Sequence, residues 1–155
     1  MTKKYRGFEA VSRLKREGIQ PIYPTRNDSR SCGYDFYYVY DEPISIYPEE
    51  TIKIKSGIKA YMQNDERLEV NTRSGNGANK NIVVANTIGW IDASYYNNLD
   101  NEGEIIVALR NEGTEPFTIK KGDRYAQVCF SKYLIADNDI ILNKERIGGL
   151  GSSGN

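Results

Sequence analysis

Residues 104–130 read EIIVALRNEGTEPFTIKKGDRYAQVCF, and the spacing of apolar and turn-forming residues in this stretch decides the fold. Glu104 to Arg110 is a continuous apolar run bounded by Gly103 and by Asn111-Glu112-Gly113. Phe117-Thr118-Ile119 follows, then the turn Lys120-Lys121-Gly122-Asp123, then a second β-type run from Tyr125 to Phe130. Short runs of β-branched and aromatic residues closed by Gly, Asn and Asp are strands between turns. Upstream the same grammar holds. Thr51 to Ile58 (TIKIKSGI) alternates apolar and charged residues almost perfectly, as a half-buried strand does, and Asp35 to Tyr40 (DFYYVY) is aromatic and β-prone. Turn signals recur about every ten residues, which predicts an all-β sandwich or barrel over alternating strand–helix units. Helical propensity is confined to Glu9 to Glu17, where Phe8-Glu9-Ala10-Val11 also alternates; the expectation is a first strand followed by a loop. Ile22 to Ser31 reads as a polar loop, and no repeat or linker divides the chain. The Gly/Ser tail from Gly148 to Gly154 is too flexible to pack unaided.

The chain has 155 residues, enough for one domain around a single core. Its 21 basic residues balance 21 acidic ones, which argues against stable nucleic-acid binding through a broadly basic surface but leaves room for a local cluster of cations. With no histidine, imidazole is excluded as base, nucleophile partner or zinc ligand. Cys32 and Cys129 lie far apart without CxxC or metal-type spacing, so they read as two buried or half-buried free thiols. The opening MTKKYRGFEAV has no apolar core of signal-peptide length, and no stretch approaches ~18 apolar residues. The expectation is a soluble, cytoplasmic protein with no membrane partner.

Three segments carry candidate chemistry. Asn86 to Asn98 reads NTIGWIDASYYNN, with a glycine, a carboxylate three residues later and a tyrosine three beyond that. By pattern alone it is first a hairpin with a turn aspartate and a packing tyrosine. The alternative is a nucleotide pocket in which backbone at Gly89 reads a base edge, Asp92 is a general base and Tyr95 stacks on sugar or base. Thr72-Arg73-Ser74-Gly75 places a cation, a hydroxyl and a glycine in one turn, either an ordinary polar turn or a phosphate-holding group. Gly122 to Gln127 leads from a turn into a strand, where Gln127 needs a reason to sit among apolar neighbours. The tail with Arg146 upstream resembles a phosphate-cradling loop, although no GxxxxGK[ST] sequence occurs.

In order along the chain come Gly33-Tyr34-Asp35-Phe36-Tyr37, Arg73-Ser74-Gly75, Asn86 to Tyr95, Gly122-Asp123-Arg124-Tyr125-Ala126-Gln127, and Arg146-Ile147-Gly148-Gly149-Leu150-Gly151-Ser152-Ser153-Gly154. This series resembles the full five-motif set of the trimeric dUTPase family, from about residue 30 to the C-terminus. Arg6-Gly7-Phe8-Glu9 resembles the start of dUTPases from Gram-positive cocci and their phages. The resemblance implies a jelly-roll-like β-barrel of the β-clip type over residues 1–145, with a flexible C-terminal arm at 146–155. It implies a homotrimer with active sites shared between subunits, and hydrolysis of dUTP to dUMP and pyrophosphate by water attack at the α-phosphorus. That activity keeps uracil out of DNA and supplies dUMP for thymidylate synthesis. By the same resemblance Asp35 anchors a water in the shell of a Mg2+ cofactor, and Arg73, Ser74, Gly75 and Gln127 bind phosphates. Asn86 and Gly89 read uracil, Asp92 touches the 3′-hydroxyl and orients the attacking water, and Tyr95 packs on deoxyribose and leaves no room for a 2′-hydroxyl. Arg146, Leu150, Gly151 and Ser152 arrive on the arm to complete the substrate site.

Three positions depart from the family pattern. Asn97 stands where glycine is usual and is expected to adopt an unusual backbone conformation. Leu150 replaces the phenylalanine that stacks on uracil, and Trp90 replaces a small apolar residue. These changes point to altered kinetics more than lost activity. Among rival readings, dCTP deaminase shares the fold but needs a glutamate near the base and an extra Ser/Arg-rich phosphate segment. A phage-type enzyme would add a host regulatory partner, with the surface from Tyr96 to Glu102 as its contact.

Overall fold

The computed structural model describes residues 3–142 and Gly148. Twelve strands are found among them, all paired antiparallel. The largest sheet has the order β2 (Thr25–Arg26), β3 (Tyr34–Tyr37), β12 (Arg124–Lys132), β7 (Glu66–Asn71), β9 (Gly89–Asp92). A three-stranded sheet runs β5 (Thr51–Lys55), β10 (Ile106–Asn111), β8 (Ile82–Val84). Two further pairs are β1 (Gly7–Ala10) with β6 (Ile58–Tyr61), and β4 (Ile44–Ile46) with β11 (Phe117–Ile119). The strands wrap as a jelly-roll-like β-clip made of four sheets, not one closed barrel.

Alternation in the sequence becomes alternation of faces. On β10, Val107, Leu109 and Asn111 point inward; on β7, Leu68 and Val70 do so while Arg67 and Glu69 face outward. The core between the sheets is filled by Phe36, Ile46, Leu68, Ile82, Ile105, Leu109, Ile119 and Val128. Burying each such side chain contributes about 1.5–3 kcal/mol. Asn111 is buried among them and fully satisfied: its Nδ2 donates to the carbonyls of Ile46 and Glu115, both at 2.8 Å, and its Oδ1 accepts from Gly113 N at 2.8 Å. It thereby ties the β4 edge to the turn before β11.

Tyr125 is different, because its hydroxyl is fully buried and has no hydrogen-bond partner among the described residues. A buried hydroxyl left unpaired costs on the order of 1–3 kcal/mol. Tyr125→Phe is therefore expected to hold or raise the Tm, read by thermal denaturation at matched protein concentration. A clear drop in Tm would show that the hydroxyl is in fact bonded.

Two expectations are corrected. The single strand Thr51–Ile58 is two strands, divided at Gly57, whose φ is +75°. A Cβ at Gly57 would stand 2.5 Å from Leu14 Cδ1, so Leu14 packs where only glycine leaves space. The loop expected after the first strand contains a helix, α1 (Ser12–Arg16). Five residues do not hold a helix alone. Here tertiary contacts do, with Leu14 buried against Val11 and Val39, and Arg13 ion-paired to buried Glu104 at 2.6 Å. Glu104 also accepts the Gly57 amide at 2.9 Å, so one carboxylate joins the helix to the strand break.

Between Tyr95 and Gly103 the chain makes an excursion that closes on itself. Asn97 N donates to Glu102 O at 3.1 Å, and Glu102 N donates to Asn98 O at 3.0 Å. Asn97 has the expected unusual backbone, with φ +55°. Gly103 (φ +84°) could not be replaced: a Cβ there would meet Tyr95 O at 2.8 Å and Asn97 N at 2.9 Å, backbone atoms with nowhere to go. From outside, Lys59 donates to Asn97 Oδ1 (2.7 Å) and Glu102 (2.8 Å), and the Ser12 hydroxyl donates to Glu102 at 2.6 Å. Burial works against ionisation of Glu102, but the Lys59 and Ser12 hydrogen bonds outweigh it and hold the carboxyl down to about 2.

Candidate active site

The order of the large sheet explains why motifs far apart in sequence meet. β12 lies between β3 and β7, and Gln127 is paired with Asp35 on one side and Asn71 on the other. Residues just beyond β7 therefore fall beside Asp35. Arg73 Nε donates to Asp35 Oδ1 at 3.0 Å. Arg124 Nη1 donates to Asp35 Oδ2 at 3.3 Å, and Gln127 Nε2 donates to Thr72 O at 3.2 Å. That bond is why a glutamine is tolerated beside apolar Ala126 and Val128. Asp35, Arg73, Ser74, Arg124 and Gln127, with Arg30 from the loop before β3, line one cavity of about 410 Å³. Three guanidiniums against one carboxylate make it a site for a multiply charged anion.

Arg73-Ser74-Gly75 was expected in a turn; instead Ser74 opens a short helix, α2 (Ser74–Lys80), with Arg73 as its N-cap. Ser74 and Gly75 are exposed at the start of that helix. Arg124 was not singled out from sequence, although it sits within the fourth motif. A register shift between Arg124 and Ala126 interrupts the pairing of β12 with β3. Such a bulge re-aims side chains, and no residue pattern announced it.

The second part of the site lies on β8, β9 and the turn between them. Thr87 N donates to Val84 O at 2.9 Å and Ile88 N to Asn86 O at 2.7 Å, leaving Thr87 at φ +68°. Asn86 and Gly89, with Val84, Trp90, Ile91 and Val107, line a mainly apolar cavity of about 300 Å³. Along β9, Gly89 and Ile91 are buried while Trp90 and Asp92 face solvent on one side. Trp90 thus points away from the core, with the Arg67 guanidinium 4.5 Å from its ring centroid and Arg67 in turn ion-paired to Glu69 at 2.7 Å. Arg67 is also the cross-strand partner of Asp92.

Tyr95 follows Asp92 within a 3-10 turn and is only 3% exposed. Its hydroxyl donates to Glu104 O at 2.9 Å and accepts from Asn101 Nδ2 at 2.8 Å. In the single chain it is a core residue and offers little open surface. Arg146, Leu150, Gly151 and Ser152 lie outside the described residues.

The two cavities share no lining residue. Asp92 pairs with Arg67, four residues along β7 from the Asn71 that faces Gln127, and β9 is two strands from β12. With strand rise and spacing of about 3.3 and 4.8 Å, Asp92 and Gln127 of one chain are roughly 16 Å apart. That separation, measured along the backbone, puts the two residues in different parts of the surface.

Among the described residues no helix is long and apolar enough to cross a membrane, and no group of three or more Cys, Asp or Glu side chains could alone hold a metal ion. Comparison with known proteins adds a consistent set of likenesses. The family model described as dUTPase matches residues 20–154. A deoxyuridine 5′-triphosphate nucleotidohydrolase of Lactococcus lactis is 43% identical over 152 residues, covering 97% of this chain and 99% of that protein. The crystal structure of dUTPase from Streptococcus mutans superposes with a TM-score of 0.73 at 33% identity, covering 84% of this chain and 98% of that one. A mutant dUTPase from phage phi11 of S. aureus, described with a coordinated structural Mg(II) ion, shares the fold at TM-score 0.70 and 17% identity, covering 91% and 99% of the two chains.

Proposed function

This chain belongs to the dUTPase family and hydrolyses dUTP to dUMP and pyrophosphate, and from that premise we propose that Asp92 is the general base and that each active site is assembled from more than one copy of the chain. The observation that carries this reading is the separation of the two cavities. An α-phosphorus attacked by a water that Asp92 orients, and gripped by Gln127, requires these groups within a few ångströms of one substrate, whereas one chain holds them roughly 16 Å apart. A neighbouring copy that brings its anion cavity against the first copy's β8–β9 turn resolves the conflict, and a closed trimer does so three times.

Within such a site the triphosphate meets Arg73, Arg124, Ser74, Gly75 and Gln127. Mg2+ commonly binds through one or two carboxylates plus substrate phosphates and keeps several waters, so the single carboxylate of Asp35 beside an anion cavity fits it. The ion, when bound, neutralises charge shared by the phosphate oxygens. Asp35 would hold it through water, and its present ion pairs with Arg73 and Arg124 suggest an exchange in which the arginines turn to the phosphates as substrate enters. Asn86 and the backbone at Gly89 offer fixed donors and acceptors to uracil; a cytosine amine would leave a buried group unmatched at a cost of ~1–3 kcal/mol. Tyr95, 3% exposed and locked by its two hydroxyl hydrogen bonds, backs the sugar pocket from the core side. Water attacks the α-phosphorus in line with the departing pyrophosphate while Asp92 accepts its proton. The arm carrying Arg146, Leu150, Gly151 and Ser152 closes over the phosphates, and the enzyme works in the cytoplasm.

With magnesium, pyrophosphate is expected from dUTP and much less from dCTP, dTTP or UTP. Removing the residues after Ile147 should lower turnover strongly while sedimentation still reports a trimer. Full activity in the truncated protein, or ammonia release from dCTP, would refute this reading.

A further inference from the structure

We propose that Cys32 and Cys129 form an oxidisable thiol pair on the wall of the anion cavity, and that their disulfide stops dUTP hydrolysis. The proposal rests on reading that cavity as the triphosphate site. The two residues are distant in sequence and free in this structure. Strand pairing brings them together: Val128 is paired with Tyr34, so Cys129 continues β12 just where the chain entering β3 passes through Cys32 and Gly33. The Cys32 thiol lies near enough to Cys129 to help push its thiol up, while the Cys129 thiol itself donates to Phe130 O at 3.5 Å. Cys32 is exposed and lines the cavity beside Asp35, Arg73 and Gln127. Cys129 is half-buried, its thiol pushed up by burial first and by Cys32 next, so it is the poorer nucleophile of a pair in which Cys32 meets solvent.

The chemistry balances with a peroxide as oxidant. The Cys32 thiolate attacks one oxygen of hydrogen peroxide, the O–O bond breaks, and hydroxide leaves to give the Cys32 sulfenic acid. Cys129 sulfur then attacks the Cys32 sulfur, forming the S–S bond and expelling water. In total, two thiols and one peroxide give one disulfide and two waters. Bond formation needs the sulfurs about 2 Å apart, which draws the Cys32–Gly33 backbone towards β12. That space is already filled, because a Cβ on Gly33 would lie 2.8 Å from Gln127 Oε1. Gln127 is displaced, and misplacing a substrate-positioning group by about 1 Å can cost on the order of 100-fold in rate.

The full-length protein, treated with hydrogen peroxide and desalted, is expected to become lighter by two hydrogen atoms per chain and to yield a cross-linked peptide joining Cys32 to Cys129. Turnover of dUTP with magnesium should fall by on the order of tenfold or more and return with dithiothreitol. Cys129→Ser, or Cys129→Ala if the first folds poorly, should keep the activity of the reduced enzyme, form no cross-link and show no dithiothreitol-reversible loss. The proposal is overturned if peroxide only adds oxygen to Cys32, if the disulfide joins two chains, or if the cross-linked protein keeps full turnover. A reduced protein without dUTP hydrolysis would instead overturn the reading of the cavity, and the mass measurement would still decide the thiol pair.

Discussion

Asp92→Asn lowers kcat for dUTP by at least about 10²–10⁴-fold, the share that a positioned general base supplies. Asparagine keeps the size of the side chain and one acceptor oxygen, but it puts an NH2 donor in place of the other oxygen and cannot take a proton. The residue is exposed on the solvent side of β9, with its backbone held by pairing to Arg67, so the replacement leaves the strand intact. Affinity for a non-hydrolysable dUTP analogue should stay within about tenfold of the parent, because the lost interaction belongs to the transition state. Calorimetric titration with the analogue and pre-steady-state pyrophosphate release separate the two effects. Near-parental hydrolysis by the variant would remove Asp92 from the role of base. A collapse of analogue affinity would make it a binding residue instead.

Glu104→Ala produces the largest expected loss of stability. The carboxylate is 5% exposed, accepts from Arg13 Nη2 at 2.6 Å and Nε at 3.2 Å, and caps the Gly57 amide at 2.9 Å. Removing it strands a half-buried guanidinium and a buried amide at once, and breaking such a pair costs about 3–5 kcal/mol. For a chain of this length that corresponds to a Tm lower by roughly 6–20 °C. Replacing both partners by apolar residues, Arg13→Leu with Glu104→Leu, should recover much of the loss, because no charge is then left unpaired. A Tm within a degree or two of the parent for Glu104→Ala would mean that solvent reaches the pair more freely than its burial implies.

The strands were legible from sequence where alternation is local. β11 falls on Phe117–Ile119 as the residues predict, and β10 and β12 differ only at their ends. What escaped was set by tertiary contact. Nothing in Ser12–Arg16 reveals that Leu14 will fill the space over Gly57, or that Arg13 will meet a glutamate far along the chain, and without those contacts five residues do not form a helix. The site divides in the same way. Asp92 stood out because five motifs follow one another in a fixed order, not because of its own surroundings. Arg124 was missed because its aim depends on an irregularity of pairing, and the closeness of Cys32 and Cys129 depends on which strands are neighbours. Trp90 could not be oriented until β9 was placed against β7, which set its indole outside the core and under Arg67.

The excursion from Tyr96 to Glu102 begins and ends at one point, since Asn97 and Glu102 are bonded to each other across its neck. Its tip, Leu99, is 87% exposed. Changes of length or composition at that tip therefore need not be transmitted to Asp92 on one side or to β10 on the other, and doubling such a loop costs only about 0.6 kcal/mol in closure entropy. The tip at Leu99 is a graft point: a lineage, or an engineer, can install a new epitope or tag there, a few residues from β9, while the bonds that Asn98, Asn101 and Glu102 make below it stay as they are.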